Sequence, residues 1–407
     1  MRFPRALTNG LVAALSAGAL VLSVGATAQA GQKITEESFG IHSFSTDPQV
    51  PSGSIRMNCW PTWRAVQPAK GTYNWEAFDS VIRQVESWGF DDVMYVFCGT
   101  PQWAASPVSR PQDEVQGPGS TSAPKQMSYF KDYATAVVKR YGSRIDHYQA
   151  WNEITSPQFY QGTAKQMAKM TQILSKVVKQ HDRTATVVSG SVQTHYDSYY
   201  KPMAPPYFRA LKAKGWPVDV VAGHFYPALK GGPEARVQRI EMFKKDLKKA
   251  KKPGRVKEWD TEANFWTSVA GSPPDGPVKG RKAATFLARN YLDTWRTGLQ
   301  RSYWYMWSAD WQQFPGVQLR VGDPATTAYN RLGSWTIGSK FKKCTTKSNL
   351  VECSFKKGSS SFSIAFTTSG KASMKVSGTK SVCPVYGGGC VDSKGKVTVS
   401  TLPIKVG

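Results

Sequence analysis

The chain has 407 residues, with 53 lysines and arginines against 28 acidic residues, a formal charge of +25. Hydrophobic residues at 40% and aromatics at 12% supply a large core and exclude a disordered chain. Five histidines leave little room for a multi-histidine metal centre, and no HExxH, GxGxxG or P-loop string points to a zincin, a dinucleotide enzyme or an NTPase.

Residues 1–30 read as a secretory signal. Arg2 and Arg5 supply the positive start, residues 11–24 the apolar stretch, and Ala28-Gln29-Ala30 a small-residue cleavage site. A membrane anchor is the rival, but the stretch contains Gly18 and serines and falls short of the ~20 residues a span needs. The expected product is a secreted, extracellular chain from Gly31 onward with no membrane span.

From residue 38 to 310, apolar runs alternate with amphipathic stretches. The runs are 39–44, 55–60, 92–98, 145–152, 185–191, 218–226, 255–262 and 301–307. Short continuous runs of this kind fit strands buried on both faces, as in a parallel sheet covered by helices. The spacing predicts helices over 75–88, 131–141, 164–180 and 284–297. Eight such units imply an α/β (β/α)8 TIM barrel over 31–338. An open doubly wound sheet is the alternative, and the glycine turn of its dinucleotide-binding form is absent. A polar loop at 107–125 follows the third strand, and a second long loop spans 266–280. The remainder, 339–407, is rich in Ser, Thr, Lys, Gly and Val with alternating runs, and reads as a small C-terminal antiparallel β domain or sandwich.

Barrel enzymes keep reactive groups at the C-terminal ends of their strands. The fourth run ends in Trp151-Asn152-Glu153 and the seventh in Asp260-Thr261-Glu262. Strands three places apart in a closed barrel face each other across the mouth. Two facing carboxyl groups suit glycoside cleavage, one protonating the leaving oxygen while the other attacks the anomeric carbon or activates water. A separation of ~5–5.5 Å gives retention of configuration. The bland reading is that each is an ordinary surface glutamate. Asn152 has a place in the scheme, as a donor to the sugar 2-hydroxyl. His224 and Tyr226 close the sixth strand: His224 would hold a sugar hydroxyl, and the Tyr226 phenol would donate to the nucleophile. Trp307 ends the eighth strand as a floor for the sugar, with Trp103, Trp60 and His42 as further subsite candidates. Packing in the core is the competing role for each aromatic.

The motifs Trp151-Asn152-Glu153 and Asp260-Thr261-Glu262 resemble those of glycoside hydrolase clan A, the retaining (β/α)8 glycosidases. The stretch Ile55-Arg56, then Trp63 and Gly71-Thr72-Tyr73-Asn74-Trp75, is similar to family 39. The resemblance covers roughly residues 38–310. It implies Glu153 as acid/base, Glu262 as nucleophile and Arg56 as a positive support for Glu262. Glu258-Trp259 mimics the nucleophile motif, but Glu258 lies four residues earlier, about 13 Å toward the barrel floor. Arg56 is expected to lower the Glu262 pKa, and an apolar setting to raise that of Glu153. The expected activity is therefore a secreted retaining glycoside hydrolase acting on a polysaccharide or oligosaccharide, without cofactor or metal and as a monomer. The alternative is a barrel that binds carbohydrate or cell wall without catalysis.

The six cysteines allow 15 pairings. Cys59 with Cys98, Cys344 with Cys353 and Cys383 with Cys390 form the simplest set, and no CxxC pair supports zinc. Lysines concentrate in 244–257 and the C-terminal domain. A solvated face explains them most simply, attraction to an anionic or cell-wall glycan is the functional reading, and nucleic acid lacks a recognition motif.

Overall fold

The computed structural model describes residues 31–106, 117–265, 277–307 and 315–407. The export signal expected at 1–30 lies outside these residues, as do 107–116 and 266–276 of the two long loops.

Nine short strands form one parallel sheet: β1 (Phe39–Ile41), β2 (Ser54–Met57), β3 (Val93–Val96), β4 (His147–Gln149), β5 (Thr186–Val188), β6 (Val192–Gln193), β7 (Val220–His224), β8 (Lys257–Ala263) and β9 (Ser302–Trp304). Each predicted run overlaps one of them. β1 pairs with both β2 and β9, and β7 pairs with both β5 and β6, so the sheet closes on itself. An open doubly wound sheet is thereby excluded. β5 and β6 are two halves of the fifth barrel strand, broken at Ser189-Gly190-Ser191. The break is bridged by side chains: the Ser189 hydroxyl accepts from the Ala222 N–H (3.0 Å). A Cβ on Gly190 would lie 2.7 Å from Ile154 Cγ2, so the turn after β4 comes this close to the break only because the residue is glycine.

The barrel interior is filled by Met94, Val188, Val220, Ala222, Trp259 and Tyr303. Gly40 leaves space for Tyr303, whose Cδ1 would lie 2.4 Å from an added Cβ. Apolar packing fills the middle of the barrel, and at the N-terminal ends of the strands an ion-paired group closes it, with Arg301 Nη1 2.7 Å from Asp92 Oδ1 and its guanidinium 4.6 Å from the Trp259 ring. Around the barrel run α1 (Trp63–Val66), α2 (Glu76–Ser87), α3 (Met127–Tyr141), α4 (Ala164–His181), α5 (Asp197–Ala213), α6 (Pro233–Lys249), α7 (Gly280–Arg296) and α8 (Pro324–Thr336). α2 buries Phe78, Ile82 and Val85, the three-and-four spacing that predicts it. α5 was not predicted, because Pro202, Pro205 and Pro206 lie inside it. Its buried stripe of Tyr200, Ala204, Tyr207, Phe208 and Leu211 holds it together.

Residues 340–406 form a six-stranded antiparallel sheet: β10 (Lys340–Lys347), β11 (Leu350–Lys357), β12 (Ser360–Thr367), β13 (Lys371–Pro384), β14 (Val391–Ser400) and β15 (Ile404–Val406), in the order β10-β11-β12-β15-β13-β14. Cys344–Cys353 staples β10 to β11, Cys383–Cys390 closes the turn after β13, and Cys59–Cys98 joins the ends of β2 and β3. Phe341, Val351, Phe355, Ile364 and Phe366 of this sheet belong to the same hydrophobic core as the barrel helices. At the junction the Trp295 ring of α7 meets Phe355 edge-on at 6.0 Å, and the Arg289 guanidinium lies 4.1 Å from the Phe366 ring centroid.

Candidate active site

The arrangement starts from Arg56 on β2, whose guanidinium is buried and so requires partners for its charge. It donates from Nε to Gln149 Oε1 (2.8 Å), from Nη2 to Asn152 Oδ1 (2.8 Å) and from Nη1 to Glu262 Oε2 (3.0 Å). Three strands are thus oriented by one fork. Because Arg56 takes the Asn152 carbonyl oxygen, the amide nitrogen of Asn152 is left to donate elsewhere. The other Glu262 oxygen accepts from the Tyr226 hydroxyl at 2.8 Å.

Glu153 has a left-handed backbone, with φ of 39°. Such a conformation costs a non-glycine residue on the order of 1–3 kcal/mol and persists only where the surroundings impose it. Here they do: the Glu153 N–H donates to Ser191 Oγ (2.9 Å) and the Ile154 N–H to the Ser191 carbonyl (2.9 Å). The carboxyl then reaches His224 Nδ1 with Oε1 (2.9 Å) and accepts from Gln193 Nε2 with Oε2 (3.2 Å). His224 Nδ1 also lies 3.8 Å from Glu262 Oε2. One oxygen of Glu153, one nitrogen of His224 and one oxygen of Glu262 all fall within 4.8 Å of one another. The strand-four and strand-seven glutamates therefore converge.

Their environments differ. Burial pushes the Glu153 carboxyl up to about 7, against the pull of Arg56 and the Gln193 hydrogen bond. Burial also raises Glu262, where the expectation was a net lowering; Arg56 and the Tyr226 hydroxyl do pull it down, but desolvation outweighs them. His224 is held down to about 3 by burial and is neutral near pH 7. It meets Glu153 as a hydrogen-bonding group rather than as a cation.

His42 is buried at the end of β1, its Nε2 donating to the Thr261 carbonyl (3.1 Å). Trp307 is buried beyond β9, and its backbone N–H donates to the His42 carbonyl (2.8 Å). Trp103 packs edge-on against Trp63 and donates its indole N–H to the Gln67 carbonyl (3.0 Å), so its contacts lie in the cluster under α1 and α3. Trp60 is exposed, and among the described residues no contact ties it to the two glutamates. Glu258 pairs with Lys244 (2.7 Å) and Lys252 (3.2 Å). Sequence reasoning missed Gln149, Ser191, Gln193, His195 and Tyr305. The first three hold Arg56 or Glu153; the His195 ring lies 5.7 Å from that of Tyr226, and Tyr305 lies 5.1 Å from His42. The signal for Gln193 was its position two residues after the strand-five run.

Two carboxylates and an imidazole this close also match a metal-ligand set. Arg56 disfavours that use, since its cationic fork already occupies one Glu262 oxygen and repels a divalent ion.

No protein-family model and no curated protein matches the sequence. Among solved structures, the fold is similar to a family 39 glycoside hydrolase from the gut symbiont Bacteroides cellulosilyticus WH2, with a TM-score of 0.68 and 18% identity over 92% of this chain and 82% of that one. It is also similar to a GH30 endoxylanase from Clostridium papyrosolvens C71 (TM-score 0.59, 13% identity, 92% and 97% covered). A GH family 44 endoglucanase from Clostridium thermocellum gives a TM-score of 0.58 at 11% identity, with 93% and 96% covered. At these identities the likeness is one of fold, and it points to the same group of barrels as the sequence motifs.

Proposed function

We propose that the protein is a retaining glycoside hydrolase in which Glu153 is the acid/base and Glu262 the nucleophile. The observation that carries this reading is the convergence of the two carboxyl groups, with oxygens within 4.8 Å, from the ends of the fourth and seventh barrel strands. That spacing is shorter than the separation of about 6.5–9.5 Å between the acids of an inverting enzyme, which supports retention.

In the first step a Glu262 oxygen bonds to the anomeric carbon as the glycosidic C–O bond breaks, and Glu153 gives its proton to the departing oxygen. In the second, Glu153 takes a proton from water, whose oxygen displaces Glu262 and returns the sugar with its original configuration. Arg56 and Tyr226 hold Glu262 for attack. A neutral His224 with its proton on Nδ1 donates to Glu153 Oε1, leaving the transferable proton on Oε2, where Gln193 keeps the carboxyl in place. Asn152 donates its free amide to the sugar 2-hydroxyl, a contact that strengthens as the oxocarbenium charge develops. His42 and Trp307 line the sugar site, with the exposed Trp60 as an outer contact.

The substrate is a polysaccharide or oligosaccharide met outside the cell. Three disulfides and the N-terminal signal support export. No helix of the described residues is long and apolar enough to cross a membrane.

The decisive variant is Glu262→Ala. It should lose measurable cleavage of arabinan, galactan, xylan or bacterial exopolymers, while azide restores turnover of an activated glycoside and yields a glycosyl azide. Wild-type activity in the variant would overturn the assignment, and product of inverted configuration from the wild type would overturn the retaining mechanism. Binding to a glycan with no product from the wild type would instead support the non-catalytic barrel.

A further inference from the structure

We propose that a lysine-bordered hollow on the C-terminal sheet binds an anionic polysaccharide, a chain bearing carboxylates such as a polyuronate. Residues 340–407 carry twelve lysines, no arginine and only Glu352 and Asp392 as acids, a net of ten positive charges. Residues from β10, β11, β12, β13 and β15 line a cavity of about 350 Å³ on this sheet, among them one acid, Glu352, so that with four lysines the hollow keeps a net of three positive charges (4 − 1). Four lysines border it, Lys342, Lys356, Lys375 and Lys380, each exposed. Among the described residues none of the four is in an ion pair. Four ammonium groups around one hollow repel one another, and a polyanion laid between them relieves that repulsion.

The lining also selects among polyanions. Val376, half-buried, offers apolar contact to the C–H face of a pyranose ring, while serine side chains between the lysines reach its hydroxyls. Lysine ammonium groups act as point charges that suit separate carboxylates along a chain. Nucleic acid is favoured by arginine forks and exposed aromatic rings on which bases stack, and the sheet has no arginine. The two phenylalanines at the hollow, Phe355 and Phe362, are buried. A surface of this kind, on the same chain as Glu153 and Glu262, raises the local concentration of a polymeric substrate.

The choice of carbohydrate as occupant rests on the glycosidase reading, but binding is read without turnover, so the two can fail separately. The full-length protein is titrated with polygalacturonate, with neutral dextran and with a single-stranded DNA oligomer in 50 mM salt. Polygalacturonate should bind, weakening as salt rises, and dextran should not. The variant K342Q/K356Q/K375Q/K380Q should lose at least tenfold in affinity with an unchanged melting temperature. The control K165Q/K169Q/K245Q/K248Q, which removes four exposed charges from α4 and α6, should bind within about twofold of wild type. Equal losses in both variants, unchanged binding in the first, or a preference for DNA would overturn the proposal.

Discussion

A single carboxyl sets the pH behaviour expected of this protein. Glu153, raised to about 7 by burial, must be protonated to act as the acid, so kcat/KM should fall as pH rises through about 7. Glu153→Gln should remove that limb along with most turnover of substrates that have poor leaving groups. The same group acts on stability with a definite sign. Between the ordinary carboxyl value near 4.5 and about 7, the unfolded chain has lost the proton while the folded one retains it. Stability is therefore full below about 4.5 and declines up to about 7, by as much as about 3 kcal/mol. Urea midpoints across that range should flatten in Glu153→Gln. Tyr226→Phe deletes the hydrogen bond to Glu262 and should cost roughly 10–100-fold in kcat/KM, the worth of a bond to a charged group. Because that bond favours the ionised carboxylate, its loss should also move the acidic limb of the profile to higher pH. A limb left in place would reduce Tyr226 to packing. Both glutamates were legible in the sequence because each closes an apolar run. Gln193, His195 and Tyr305 were not, since a lone polar or aromatic residue beyond a strand carries no periodic signal.

Among the elements, the eight strand runs were legible because parallel strands are buried on both faces and read as unbroken apolar stretches. The break in the fifth strand was not, since Ser189-Gly190-Ser191 continues a run of small residues and only the three-dimensional approach of Ile154 reveals why the glycine is there. That break matters to the site: Ser191 imposes the backbone of Glu153, and Gln193 follows on the resumed strand. α5 was hidden by its prolines, whose local cost is outweighed by the buried stripe. The barrel filling also has a position without tolerance. Gly40→Ala would drive a methyl into the Tyr303 ring, with 2.4 Å to Cδ1, and should destabilise the fold by about 1–3 kcal/mol in urea denaturation. An unchanged midpoint would mean that the Tyr303 ring moves aside freely.

At the level of the whole molecule, the sequence separates a barrel from a basic sheet by composition, yet composition is silent on how closely they are packed. Phe355 meets Trp295 of α7, Phe366 lies against the Arg289 guanidinium of the same helix, and Phe341 packs on Phe355 within the shared core. Two blocks held by such a seam should melt as one, so calorimetry is expected to show a single transition; two resolved transitions would contradict this. Phe366→Ala, which removes the ring beneath the Arg289 guanidinium, should lower that single melting temperature rather than split it, at a cost of about 3–5 kcal/mol.

That seam sets a limit on how the chain can be rebuilt. A ligand-gathering module joined by a slack tether can be cut off or traded for another, and its host keeps working. Here the cut would bare a row of phenylalanine rings that the two blocks now cover for each other, leaving two sticky halves in place of two independent modules. The two blocks, in this molecule, are inherited together or lost together.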